Sequence, residues 1–365
     1  MQTYRQRIEK LCERLRRADV EALVVAPGSD LRYLCGYDAP ALERPSLLIV
    51  RGDGEVSFVA PELERLRVEQ EVHLPAVQVI TYGELDDPFR LAGRAVDPSG
   101  RNSIAIGDRM WTSFALGLQD VLPGRSWLRA SEFLGPLRAV KDAEEIAALA
   151  AAGRAIDRVH TRVPDVLRPG KTEAQVAREL ANMIRDEHDE MLFVIVASGE
   201  NSASPHHEPG QRIIEKGDVV VVDIGGSLDG YCSDMTRMYA IASSPPGFAA
   251  AYAALETAQS AGVQAVRPGA TAGEVDAAAR DVLADAGLGP AFVHRTGHGI
   301  GLDVHEEPWI LPGSEQVLRE GMTFSVEPGF YLEGVFGARI EDIVTVTESS
   351  VTSFNHVDRS LVVIS

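Results

Sequence analysis

The sequence predicts an α+β protein in two parts: a smaller α/β domain over residues 1–135, then a larger domain over residues 136–365 with an internal twofold repeat. Three observations carry that expectation. The chain has 365 residues, long for one domain and comfortable for two. Its first third alternates short apolar strands with helical stripes. Its later part holds two matched segments, LRPGKTEAQVARELANMIRDE at 167–187 and VRPGATAGEVDAAARDVLADA at 266–286. Each has Arg-Pro-Gly, then a threonine, then an amphipathic helix, at an offset of 99 residues.

The elements follow in order. Residues 4–18 form a helix with Ile8, Leu11, Cys12 and Leu15 on one stripe. EALVVAP is a strand and SDLRYLCGY a short helix or turn. PSLLIV and VSFVA flank RGDGE and make a hairpin, so the Arg-Gly-Asp reads as a turn and not as an adhesion signal. Strands at Val77–Ile80 and SIAIGD and a helix at WTSFALGLQDVL complete the first domain. The longest helical pattern starts at Asp142, which caps it, with Glu145 in capping-box position; the boundary falls just before it, between 132 and 140. In each repeat a helix (142–163, about 245–266) precedes the matched segment, and strands follow it. Two copies of this size are too few for a solenoid. They predict one domain with a pseudo-twofold axis, one antiparallel sheet drawn from both halves, and four helices on its outer face.

The net charge of −19 argues against a nucleic-acid partner, which needs a positive surface. No run approaches about 20 apolar residues, so no membrane span is expected, and the amino terminus lacks a signal-peptide core. Three cysteines, Cys12, Cys35 and Cys232, cannot all pair, which fits a reducing compartment and a cytoplasmic location.

The repeat organises the polar residues. His206 in SPHHEP lands on His305 in DVHEEP. With a few loop residues allowed, Asp223 in VVVVDIGG matches Glu327 in TFSVEPGF, and Asp234 in CSDMTRM matches Glu341 in RIEDIVT. Asp223 and Asp234 flank a turn centred on Leu228-Asp229, which would set them opposite each other, about 5 Å apart. Glu327 and Glu341 similarly flank FYLEGVFGA. Asp218 and Asp229 read as solvated turn residues, Cys232 as a packing residue and His207 as a surface or supporting residue. Four carboxylates converging on one face repel, and their pKa values rise unless something positive joins them. Two divalent cations balance four carboxylates, and His298 in RTGHGIG completes the shell, its flanking Gly297, Gly299 and Gly301 letting backbone run close to a ligand. One nitrogen among carboxylates suits manganese, iron, cobalt or zinc better than a soft metal. Two metals sharing carboxylates hold a hydroxide between them, the nucleophile of a metal-dependent hydrolase. Phosphoester cleavage has less support, because the nearby loops carry few lysines or arginines. Arg339 shares the strand face of Glu341 and is placed to support a ligand carboxylate.

These motifs carry a resemblance. ASGENSASPHH, VVVVDIG followed by CSDMTR, HRTGHGIGLDVHEEP, SVEPGFY and GARIED resemble, in order, the signatures of proline-specific metallopeptidases of the pita-bread fold. That group contains prolidase, aminopeptidase P and methionine aminopeptidase, with creatinase as a non-metal relative. The first domain, with YLCGYDAPALERP, resembles more weakly the creatinase-like amino-terminal domain of the prolidase branch. The resemblance implies that Asp223 chelates one metal, that Asp234 and Glu341 bridge, and that His298 and Glu327 bind the second. It makes Glu327 the general base, has His206 and His305 contact substrate, and has Arg339 support the shell. Two divalent ions per subunit are implied, manganese first, with cobalt or zinc as alternatives. The implied reaction is hydrolysis of the Xaa-Pro bond at the amino end of short peptides by a homodimer, with tetramers as a variant. Dipeptidase is the leading reading and release of the first residue from longer peptides the alternative. Some prolidases carry an arginine after His-Glu-x-Pro for the substrate carboxylate; here that position is Trp309.

Overall fold

The computed structural model describes residues 2–96, 100 and 102–365, in two compact units, Met1–Arg138 and Ala139–Ser365. In the first, α1 (Gln2–Arg17), α2 (Ser29–Cys35), α3 (Arg65–Glu71), α4 (Pro88–Val96), α5 (Thr112–Val121) and α6 (Ser131–Arg138) pack with one six-stranded sheet. Its strands are β1 (Val20–Val25), β2 (Leu47–Arg51), β3 (Val56–Pro61), β4 (Val77–Tyr82), β5 (Ser103–Ile106) and β6 (Trp127–Arg129), in the order β4-β3-β2-β1-β5-β6. β1, β2 and β3 run antiparallel in turn, and β4, β5 and β6 join parallel to their neighbours. Ala22, Val24, Leu47, Ile49, Val59 and Ile104 make its core with Leu118 of α5. The Arg-Gly-Asp is the tip of the β2–β3 hairpin, where Arg51 N donates to Glu55 O at 2.9 Å.

The second unit holds the repeat. Helices α7 (Ala143–Val166) and α8 (Glu173–Glu187) open the first half, α9 (Phe248–Ala265) and α10 (Ala272–Asp285) the second. Asp142 and Glu145 form the expected capping box on α7. The matched threonines, Thr172 and Thr271, cap α8 and α10, each reciprocated by the side chain three residues on, Gln175 or Glu274.

The strands of the first half are β7 (Glu190–Ser198), β8 (Val219–Leu228), β9 (Tyr231–Cys232) and β10 (Met235–Ile241). Those of the second are β11 (Gly297–Gly299), β12 (Glu306–Ile310), β13 (Thr323–Val326), β14 (Gly329–Leu332), β15 (Phe336–Arg339) and β16 (Asp342–Val346), with β17 (Val351–Ser353) and β18 (Val362–Ile364) after them. They form two five-stranded sheets and the β14–β15 ribbon, where the sequence led to one sheet. The breaks fall at Ser233-Asp234, Glu327-Pro328 and Ile340-Glu341. Pro328 has no N–H for a ladder, and the other breaks turn carboxylates inward at the cost of strand pairing. The halves meet there: Glu341 N donates to Thr236 O, and the Arg237 guanidinium donates to Glu341 O at 2.7 Å.

Alternation sets the faces. Val220, Val222 and Ile224 pack on Ile156, Val159, Val176 and Leu180 of α7 and α8. Val219 and Val221 face the other way, onto α9 and the β14–β15 ribbon. In the second sheet Phe324, Val326, Val344 and Val346 pack with Val275 of α10. Asp223 continues the face of Val219 and Val221, and Ser325 lies on the face opposite Phe324 and Val326.

Candidate metal centre

The hairpin carrying the first two carboxylates turns one residue later than expected. Asp229 and Gly230, with φ of 51° and 80°, form its tip, the positive-φ pair of a two-residue hairpin. The register therefore places Thr236, not Asp234, opposite Asp223. Asp234 is diagonal to Asp223 on the same face, in the break between β9 and β10. The second pair is as expected: β13 pairs Val326 with Asp342 and β14 pairs Gly329 with Arg339, so Glu327 and Glu341 sit opposite between them.

All four carboxylates come together with His298. Ligand-type atoms of Asp223, Asp234 and Glu341 lie within 4.8 Å of one another, as do those of His298, Glu327 and Glu341. A third grouping joins Asp234, His298 and His305. Glu341, Asp234 and His298 each belong to two groups. Asp223, Asp234, His298 and Glu341 are buried, and the Glu327 side chain is 13% exposed. His305 reaches solvent, its ring centroid 4.0 Å from that of His298. His206 is exposed in the loop after β7, close enough for its charge to act on His305.

Small residues hold the clustered side chains in place. His298 Nδ1 lies 3.1 Å from Gly299 O, which leaves Nε2 facing Glu327 at 3.1 Å and Asp234 at 3.8 Å; a backbone carbonyl on the far nitrogen is the usual support of a metal-binding histidine. Ser325 Oγ donates to Glu327 and accepts from His298 N, both at 3.0 Å. Thr236 Oγ1 donates to Glu341 at 2.9 Å and accepts from Arg339 Nε at 3.1 Å. Arg339 also donates to Asp223 and, at 2.7 Å, to the Tyr331 hydroxyl. Gly297 and Gly299 admit the close backbone of neighbouring segments: a Cβ there would strike Ser325 O and Glu307 O.

Sequence reasoning missed Thr236, Ser325 and Tyr331; strand alternation past each carboxylate was the available signal. It also missed Glu173. This buried glutamate accepts from Ser198, Asn201, Gly210 and His207, and so fixes the 198–210 loop that carries His206. His207 is thus a staple within the loop. Asp218 is not solvated; it is buried against Arg212, which donates to both its oxygens at 2.6 and 3.0 Å. Asp229 is exposed, as expected of a turn residue. Cys232 packs with Leu149, Ile300, Ile343 and Phe354, and all three cysteines are buried thiols outside any disulfide.

The electrostatics point to cations. Burial, then the charges of Asp223 and Glu327, push Asp234 well above the ordinary carboxylate range, against Arg339. Burial, then Asp234, does the same to Glu341. Burial pushes Glu327 upward too, but its contact with His298 wins and holds it at about 2. Partial burial and the neighbouring His298 lower His305 to about 4. Asp223 Oδ1 and Glu341 Oε1 are buried with no hydrogen-bond partner among the described residues. Such orphaned anionic oxygens are costly unless something positive takes their lone pairs. Hard oxygens with one imidazole fit divalent ions. No helix among the described residues is long and apolar enough to cross a membrane.

Comparison with known proteins agrees with this chemistry. Residues 147–348 match the model of metallopeptidase family M24, and residues 7–140 that of the creatinase/prolidase N-terminal domain. The probable dipeptidase PepE of Mycobacterium tuberculosis is 47% identical, over 95% of this chain and 93% of its own length. The Xaa-Pro dipeptidase of Lactobacillus helveticus is 33% identical over 98% of both chains. The crystal structure of a prolidase from Thermococcus sibiricus superposes with a TM-score of 0.92 at 36% identity, covering 99% of each chain. The chain belongs to metallopeptidase family M24, with a pita-bread catalytic domain behind a creatinase-type amino-terminal domain, and its acidic and histidine side chains are grouped for divalent metal.

Proposed function

We propose that this protein hydrolyses the Xaa-Pro bond of dipeptides, using two divalent ions, manganese first. The observation that carries the reading is the pair of ligand groups sharing Glu341: Asp223, Asp234 and Glu341 for one ion, His298, Glu327 and Glu341 for the other. Relatives named Xaa-Pro dipeptidase and prolidase support the substrate. When bound, the ions supply an activated water and polarise the scissile carbonyl.

The chain's own residues do the rest. Arg339 and Thr236 fix Asp223 and Glu341 in place. Glu327, held ionised, accepts the proton of the attacking water and passes it to the prolyl nitrogen, which must leave as an amine. His305, neutral at pH 7, and His206 stand at the rim, placed to donate to the developing oxyanion. Buried thiols outside any disulfide support a reducing, cytoplasmic setting. The second reading, removal of the first residue from longer peptides, is favoured by Trp309, which offers no charge to a dipeptide carboxylate.

The test is turnover of Ala-Pro against Ala-Pro-Ala by chelated protein refilled with manganese, cobalt or zinc. Faster dipeptide turnover, abolished in Asp234→Ala, is the expected outcome. Preference for the tripeptide would move the protein to the second reading. No cleavage of either, with both ions bound, would refute both.

A further inference from the structure

A dipeptidase must sense that its substrate ends after two residues, and the group that ends it is a carboxylate. Trp309 cannot pair with one, but its surroundings can. Trp309 lies directly opposite His298 in the β11–β12 register. Opposite residues of an antiparallel pair share a face, so the indole stands beside the ligand cluster. The guanidinium of Arg295 stacks on it, 4.3 Å from the ring centroid.

Arg295 is positioned with care. The preceding carbonyl, of His294, accepts from Arg280 at 2.9 Å. The following residue, Thr296, donates through its hydroxyl to buried Asp276 at 2.7 Å. Asp276 and Arg280 are themselves paired on α10. The neighbouring cations are committed: Arg339 to Asp223, Arg237 to Asp342, Arg280 to Asp276 and Lys141 to Glu306. Among the described residues no carboxylate or carbonyl hydrogen-bonds the Arg295 guanidinium. It is half-buried, and its charge is felt at both Glu327 and His305.

We propose that Arg295, braced on Trp309, receives the free carboxylate of the proline residue in a dipeptide substrate. A planar guanidinium stacked on an indole keeps its N–H edge open, and that edge matches a carboxylate with two parallel hydrogen bonds. The charge that other members of the group place at the Trp309 position then comes from the end of the loop before β11, and the tryptophan becomes its support. This inference rests on the Xaa-Pro dipeptidase reading and names how that site selects length.

The experiment compares Ala-Pro, Ala-Pro-amide and Glu-Pro in the metal-loaded wild type and in Arg295→Gln, Arg295→Lys, Trp309→Phe and Trp309→Leu. Wild type should favour Ala-Pro over its amide. Arg295→Gln should raise KM for Ala-Pro roughly 10- to 100-fold, the scale of a lost charge-assisted pair, with kcat nearly kept. Its loss on Ala-Pro-amide should be at least about ten times smaller. Arg295→Lys should fall between. Trp309→Phe should keep the acid preference and Trp309→Leu lose part of it, in KM. Equal losses on acid and amide overturn the proposal, as does a loss confined to Glu-Pro, which would assign Arg295 to an acidic first residue. A wild type that cleaves amide and acid equally well overturns the carboxylate receptor but spares Xaa-Pro hydrolysis. A wild type that cleaves none of the three removes both.

Discussion

One hydroxyl, that of Thr236, serves two opposite charges, donating to Glu341 and accepting from Arg339. It lies directly across the strand pair from Asp223, which Arg339 also holds, so through Arg339 it ties together a carboxylate of each half. Thr236→Val keeps the shape and removes both bonds. Partners of this kind are worth about 10- to 100-fold in metal affinity. We expect that loss in a chelator competition, with an unchanged far-ultraviolet spectrum; an unaltered metal affinity would show that Arg339 alone orders the carboxylates. The contrast with the clustered carboxylates explains what the sequence revealed. Asp223, Asp234, Glu327 and Glu341 were legible because a buried charge in an apolar strand is anomalous and the repeat pairs the anomalies. Thr236, Ser325 and Tyr331 are ordinary strand residues, and nothing in their chemistry announces a partner two strands away. Glu173 was hidden for another reason: it sits in a helical first turn, where a glutamate is already expected.

The helices were the most legible elements because their starts are local chemistry. Thr172 and Thr271 occupy matched positions, and each caps its helix in the same reciprocal box. Thr172→Ala and Thr271→Ala should each cost about 1 kcal/mol, seen as similar shifts in the urea midpoint at constant slope. A cost confined to one of them would mean that the repeat is preserved in sequence but not in energetics. The sheets were less legible. Strand alternation gave the faces correctly, since a register error of two residues leaves every side chain on its own side. It did not give the register of the first hairpin: the turn was centred on Leu228-Asp229, although Asp229-Gly230 is the dipeptide that tolerates two positive φ values. Nor did it give the division into two sheets. That division falls at the clustered carboxylates themselves, at Asp234, Glu327-Pro328 and Glu341, where pairing stops and carboxylates turn inward.

At the scale of the whole molecule, the candidate metal centre links stability to pH. Asp234 and Glu341 bind protons more tightly in the metal-free folded protein than in the unfolded chain, through burial first and mutual repulsion second. Their contribution is complete below the ordinary carboxylate range, about 4, and is lost as pH rises through their elevated values. Glu327 has the opposite sign: held at about 2, it contributes above the ordinary range and loses that only in strong acid. As rising pH strips those protons, the metal-free protein is left with repulsion that cations relieve in the proton's place. The stabilisation by manganese, read as the difference in thermal midpoint between loaded and chelated protein, should widen steadily as pH rises above about 4. Metal addition to weakly buffered apoprotein should release protons. The chain's net charge of −19 also grows more repulsive with pH, but that self-repulsion is diffuse and screened by salt, whereas buried pairs are screened far less. Repeating the comparison at high ionic strength separates the two. A gap that survives salt and grows with pH locates the linkage in the buried carboxylates; a gap that is flat in pH would mean that Asp234 and Glu341 are already ionised without metal, and that some other group compensates them.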